Sequence, residues 1–216
     1  MNVDHLNPEP LAVAQRHLDA KAIAEFAHER LLAPVVAGDG YVLTTPDRST
    51  SYSFRARRLA LDHWALEEAS LAKTVAGQPA ELDVQAFVVE MAELLGIPEK
   101  LLPTYLEELA ATLASAAWKL HHHTATAAEL ARADYQDLEA AMTEGHPSFV
   151  ANNGRVGYGL DDFTAYAPET GSTVRLVWVA ARRAHTRLSL SGRLTEERLY
   201  DGELGAAVRS RFAAAL

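Results

Sequence analysis

Apolar residues recur at helical spacing through most of the first two-thirds of the chain. Between Pro10 and Leu32, Leu18, Ala22 and Phe26 fall four apart and share one helix face, leaving Lys21, Glu25 and Glu29 to face water. Pro34 ends this pattern, and Gly38-Asp39-Gly40 is turn chemistry because glycine tolerates positive φ. Tyr41 to Thr44 and Tyr52 to Arg57 then read as extended. In the second stretch Tyr52, Phe54 and Ala56 alternate with Ser51, Ser53 and Arg55, which predicts a hairpin with one buried face. From Asp83 to Leu95 the apolar positions return to three- and four-residue steps, and Gly96 with Pro98 marks the end of that helix. Pro103 opens another, with Leu106, Leu109 and Leu113 as its stripe. A further helix is expected from Thr126 to Met142.

After Met142 glycines, asparagines and prolines concentrate up to Gly171. This shift places a domain boundary between a mainly helical part, 1–142, and a second part, 143–216. Within the second part Val174 to Ala181, a short apolar run containing Trp178, reads as a buried strand that Leu188 to Leu190 would pair with. A last helix is predicted near Thr195, where Thr195-Glu196-Glu197 supplies an N-cap and acidic first-turn residues. The fold class is therefore α+β.

Composition narrows the chemistry. The 216 residues carry 20 Lys+Arg against 29 Asp+Glu, a formal charge of −9, which argues against nucleic acid as a partner. With no cysteine there is no disulfide framework, thiolate metal site or thiol nucleophile. Met1 to Leu6 lacks a secretion signal and no apolar run suggests a membrane span, so the expected location is the cytoplasm.

The densest group of candidate residues runs from Thr143 to Gly159. Glycine lets backbone approach a ligand, Arg155 offers a charge-assisted fork to a phosphate or carboxylate, and His146, Asn152 and Asn153 add hydrogen-bonding groups. The competing reading is a glycine-rich connector with an exposed arginine. The spacing matches neither a Walker A loop nor a dinucleotide fingerprint. His121-His122-His123 cannot converge on one ion from a regular helix, so a solvated helix end is the preferred reading. Asp161 and Asp162 suit capping, His63 and Trp64 packing, and Arg182 and Arg183 a solvated strand end.

Gly145-His146-Pro147, Arg155, Gly157, Tyr166-Ala167-Pro168-Glu169 and Val174 to Ala180 together resemble the amino-terminal part of the NRPS-independent siderophore synthetases, the IucA/IucC family. Lys21 to Leu31 is similar to the family's opening helix and Leu102 to Leu109 to a later one. The family's loop usually has a second His-Pro pair and a lysine where this chain has Phe149-Val150 and Asn153. Phe149 to Arg155, with Arg58 to Trp64, is instead similar to the desferrioxamine synthetases.

The resemblance implies an ATP-dependent, acyl-adenylating ligase that joins a carboxylate to an amine or hydroxylamine, with N-hydroxy-N-succinylcadaverine as the expected unit. It implies a helical thumb-like domain with a small β hairpin over 1–142, and the start of a β-rich, fingers-like nucleotide-binding domain over 143–216. His146 and Arg155 become the expected catalytic residues, and Thr143, Gly145, His146, Asn152, Asn153 and Arg155 the expected ATP contacts. A homodimer is one expectation for the full-length protein. The Mg²⁺ ligands are expected outside this chain, because family members are much longer. On that ground the chain is expected to be an amino-terminal portion, inactive alone. The competing expectation is a non-catalytic helical module for binding or assembly.

Overall fold

The structure, a computed structural model, describes residues 3–142, 144–175, 177, 179 and 181–211. Contacts divide the chain into two compact units, one ending at Thr173 and the other beginning at Val174. The loop that starts after Met142 therefore folds within the first unit.

That unit opens with a 3-10 turn, Asp4–Leu6, and a long helix α1, Pro8–His28. Seven short strands follow: β1 Val35–Ala37, β2 Gly40–Thr44, β3 Thr50–Phe54, β4 Ala56–Arg58, β5 Trp64–Leu66, β6 Ala72–Val75 and β7 Gln78–Ala80. Five form an antiparallel sheet in the order β1-β2-β3-β6-β7, and β4 with β5 forms a separate ribbon. The expected hairpin is β2–β3, with Tyr41 opposite Phe54 and Leu43 opposite Tyr52. Its turn is built by Asp47, whose carboxylate accepts from the Thr45 hydroxyl and the Ser49 N–H. The alternation also holds, since Tyr52 and Phe54 are buried while Ser53 is exposed.

Helix α2, Val84–Leu95, keeps the sequence-derived limits: the Asp83 carboxylate caps the Gln85 and Ala86 N–H groups, and Gly96 ends it in the left-handed region at φ 65°. Helix α3, Leu102–His122, buries Leu109 and Leu113 as its stripe predicts. The single helix expected over Thr126–Met142 is instead two, α4 Ala127–Leu130 and α5 Tyr135–Ala140. Thr126 and Asp134 each cap a new start, and the second cap breaks the run. One core joins α1, the sheet, α2 and α3 through Leu18, Ile23, Tyr52, Phe87, Met91 and Leu109, and it takes in Val150 from the loop. Helix α6, Leu160–Tyr166, follows that loop, with the Asp162 carboxylate accepting the Gly159 N–H in the expected capping role.

The second unit contains α7, Glu196–Arg211, capped by Thr195 and interrupted at Gly205. The strand expected over Val174–Ala181 is not formed by its described residues, of which Val174, Val177 and Val179 are exposed and unpaired. Leu176, Trp178 and Ala180 lie outside the described residues. Leu188 to Leu190 forms no strand either. Apolar character alone does not pair a strand when no neighbouring edge receives it. No helix among the described residues is long and apolar enough to cross a membrane.

Candidate functional site

The 144–158 loop is held down by side chains from α1 and α3. On α1, the His17 ring lies between two carboxylates, with Nδ1 3.0 Å from Glu68 and Nε2 2.6 Å from Glu144. One turn on, Lys21 Nζ donates to Glu144 at 3.2 Å and to the His146 carbonyl at 3.5 Å. Lys21, expected to face water, is therefore drawn under the loop, with only 10% of its side chain exposed. Asn152 Nδ2 lies 3.4 Å from Glu144 and 3.5 Å from the same His146 carbonyl, which closes the loop on itself.

The His146 ring is exposed, tilted against Phe149 at 4.6 Å, and its Nδ1 accepts the Ser148 N–H at 3.2 Å. An accepting Nδ1 leaves the proton of the neutral imidazole on Nε2, so the outward-facing nitrogen is a donor.

The far end of the loop is fixed on α3. Thr112 Oγ accepts the Asn153 N–H, and the Asn153 amide donates to Asn152. A Cβ on Gly154 would lie 2.8 Å from the Glu108 Cβ, so the chain passes α3 too closely for any side chain. Arg155 then donates through both terminal nitrogens to Glu169, at 2.7 and 2.9 Å. Glu169 is 5% exposed and also accepts from Ser115 Oγ at 2.5 Å, while its backbone carbonyl receives Trp118 Nε1 at 3.2 Å and lies 2.7 Å from His123 Nε2. His121 and His122 are exposed, as the expected solvated end of α3 requires, with His122 stacked on Trp118 at 3.8 Å, while His123 is half-buried.

Electrostatics follow from these pairings. The His17 hydrogen bond holds the Glu144 carboxyl down at about 2, against burial, with Lys21 adding to it. Reciprocally, Glu144 raises the His17 imidazole above its ordinary value. Burial pushes Glu169 up, but the Arg155 and Ser115 hydrogen bonds outweigh it and leave the carboxyl below its usual range. The same α3 face carries Lys119, 3% exposed and lowered mainly by burial.

A raised His17 stabilises the fold below its unfolded pKa, and that stabilisation is lost as pH rises through the folded value; the depressed Glu144 is lost only in strong acid. Because both side chains are partly exposed, the expected cost between pH 6 and 9 is small, a fall of about 2 °C in Tm. A His17→Gln variant should lack that part of the slope, and thermal unfolding across this range checks it.

Of the residues expected from sequence, Gly145, His146, Asn152 and Asn153 come together in the loop, Arg155 anchors separately to Glu169, and Thr143 lies outside the described residues. Sequence reasoning missed His17, Lys21, Ser115, Lys119, Glu144 and Glu169 as participants. One signal was present for Lys119, which falls four and seven residues beyond Ser115 and Thr112 and so on their face of α3. Among the described residues no three His, Asp or Glu side chains are grouped to hold a metal ion. The free donor at His146 fits one oxygen of an anion rather than a whole triphosphate.

A helical unit with a small antiparallel sheet, locking a His-bearing loop between two helices, makes this an α+β domain. Residues 134–216 match the IucA / IucC family. The chain is 44% identical over 206 residues, 93% of its length, to putrebactin synthase of Shewanella sp. (strain MR-4), and 31% identical over 202 residues, again 93%, to the rhizobactin siderophore biosynthesis protein RhbF of Rhizobium meliloti (strain 1021). Its fold matches aerobactin synthetase IucC from a hypervirulent pathotype of Klebsiella pneumoniae with a TM-score of 0.83 and 26% identity, covering 97% of this chain and 38% of that one. The chain belongs to the IucA / IucC family of siderophore synthetases. It spans about a third of the curated relatives it matches, 32% of putrebactin synthase and 33% of RhbF.

Proposed function

We propose that this chain supplies part of the oxyanion site of an ATP-dependent siderophore synthetase. A substrate carboxylate attacks the α-phosphorus of ATP, pyrophosphate leaves, and an amine or hydroxylamine then takes the acyl group. One observation carries the reading: the loop presenting the His146 Nε2–H is locked on α1 through Glu144 and on α3 through Glu169. A donor fixed before the reaction stabilises developing negative charge without reorganisation. Glu169 orients Arg155, so its unused N–H groups keep a set direction toward phosphate or carboxylate oxygens. Gly145, Asn152 and Asn153 shape the loop, and Thr143 is a further proposed ATP contact. Mg²⁺ would supply charge neutralisation of the triphosphate, with ligands from outside this chain.

The likeness of the Phe149 to Arg155 stretch to the desferrioxamine synthetases favours a hydroxamate-type substrate such as N-hydroxy-N-succinylcadaverine. Pyrophosphate release by the protein carrying this chain, with ATP, Mg²⁺ and that substrate, tests the reading. His146→Ala is expected to lower release about 100-fold. No release by the wild type with this or a related hydroxamate would leave the binding or assembly module as the function.

A further inference from the structure

The charges beneath the loop do not cancel one to one. Glu144 is taken by His17 and Lys21, and Glu169 by Arg155 and Ser115. Lys119 remains, on the α3 face that also carries Thr112 and Ser115, both of which hold the loop or its anchor. It is 3% exposed, yet its ammonium makes no hydrogen bond or ion pair among the described residues. Its charged surroundings are Glu169, Glu144, Arg155 and Lys21, two carboxylates already satisfied and two further cations. Its stem is buried and only the ammonium tip keeps any contact with water, so three donors that no protein group accepts are poorly solvated, and an anion reaching that tip would complete them.

We propose that Lys119 is an oxyanion-binding residue, its ammonium completed by a carboxylate or phosphate oxygen of a bound ligand between Lys21 and Arg155. Burial lowers the affinity of this amine for its proton, and an arriving anion restores it, so ligand binding and protonation are linked. The inference rests on the proposed synthetase reading only for the source of the oxyanion, a phosphate of the nucleotide or the substrate carboxylate.

Carbon-13 labelling of lysine in the protein that carries this chain gives side-chain ε signals, among them those of Lys21, Lys73, Lys100 and Lys119. Lys119→Arg, which keeps the charge, assigns its signal by loss. Titration of the protein with inorganic pyrophosphate, and separately with succinate, is expected to move the Lys119 signal saturably while exposed Lys100 stays in place. Response to pyrophosphate alone identifies a phosphate subsite, and response to succinate alone a carboxylate subsite. Lys119→Met should weaken the responding probe by about tenfold or more. A Lys119 signal unmoved by either probe overturns the inference, whether or not Lys119→Met folds. Pyrophosphate release in the ligase assay with an unmoved Lys119 would leave the synthetase reading standing. A moved Lys119 without that release would leave the oxyanion site and remove the synthetase reading.

Discussion

Replacing Glu169 by alanine should destabilise the fold by about 3–5 kcal/mol, because it leaves two groups without partners in a place water barely reaches. Arg155, whose side chain is 21% exposed, loses both of its acceptors, and the fully buried Ser115 hydroxyl loses its own. For a chain of this size the expected fall in Tm is about 10 °C. Glu169→Gln should cost less, since its amide oxygen can still accept one of the two donors. The decisive comparison is a cycle with Arg155→Met. Removing both partners leaves no orphaned charge, so Arg155→Met/Glu169→Ala should unfold at a higher temperature than Glu169→Ala alone. A double variant less stable than the single one would show that Glu169 acts through something other than this pair.

Asp19 gives the opposite sign. It lies on α1 with no exposed surface, and neither carboxylate oxygen has a hydrogen-bond partner among the described residues. Burial, with Asp83 second, lifts its carboxyl to about 8, and Lys73 offsets only part of this. Between its unfolded value and that folded value the native state holds a proton that the unfolded state has released. Stability therefore falls as pH rises through the window, by up to about 1.4 kcal/mol per unit, and levels off above it. Asp19→Asn keeps the shape and removes the ionisation. At pH 7 it is expected to stabilise the protein by on the order of 3 kcal/mol, about 6–12 °C in Tm, with little gain near pH 4. Thermal unfolding of both proteins from pH 4 to 9 measures this. Parallel curves would mean that Asp19 is ionised and solvated.

Local features of the fold were legible where a short stretch contained its own stop signals. Asp83 and Gly96 bound α2 at the residues that a cap and a left-handed glycine require, and the alternation around Tyr52 and Phe54 marked the central hairpin. The other short strands escaped because three or four residues carry too little periodicity. Gln78-Pro79-Ala80 even contains a proline, tolerated there because β7 is an edge. The resemblance pointed to the loop, and its residues do gather there, but the sequence could not reveal what holds it. His17 and Glu144 are 127 positions apart, Ser115 and Glu169 54, and no pattern within a window joins them. Glu169 stood within the quoted Tyr166-Ala167-Pro168-Glu169 run without a role, since only the fold brings it under Arg155. Arg155 read as a free fork for an anion; in the structure its fork is first engaged by Glu169.

The central claim is that a carboxylate becomes joined to the α-phosphorus of ATP beside the His146 loop. It is tested most directly with substrate carrying oxygen-18 in its carboxylate. Turnover by the protein that carries this chain should place one labelled oxygen in AMP, because the carboxylate oxygen stays on phosphorus when the acceptor amine or hydroxylamine removes the acyl group. Label in inorganic phosphate, with ADP as the nucleotide product, would contradict it.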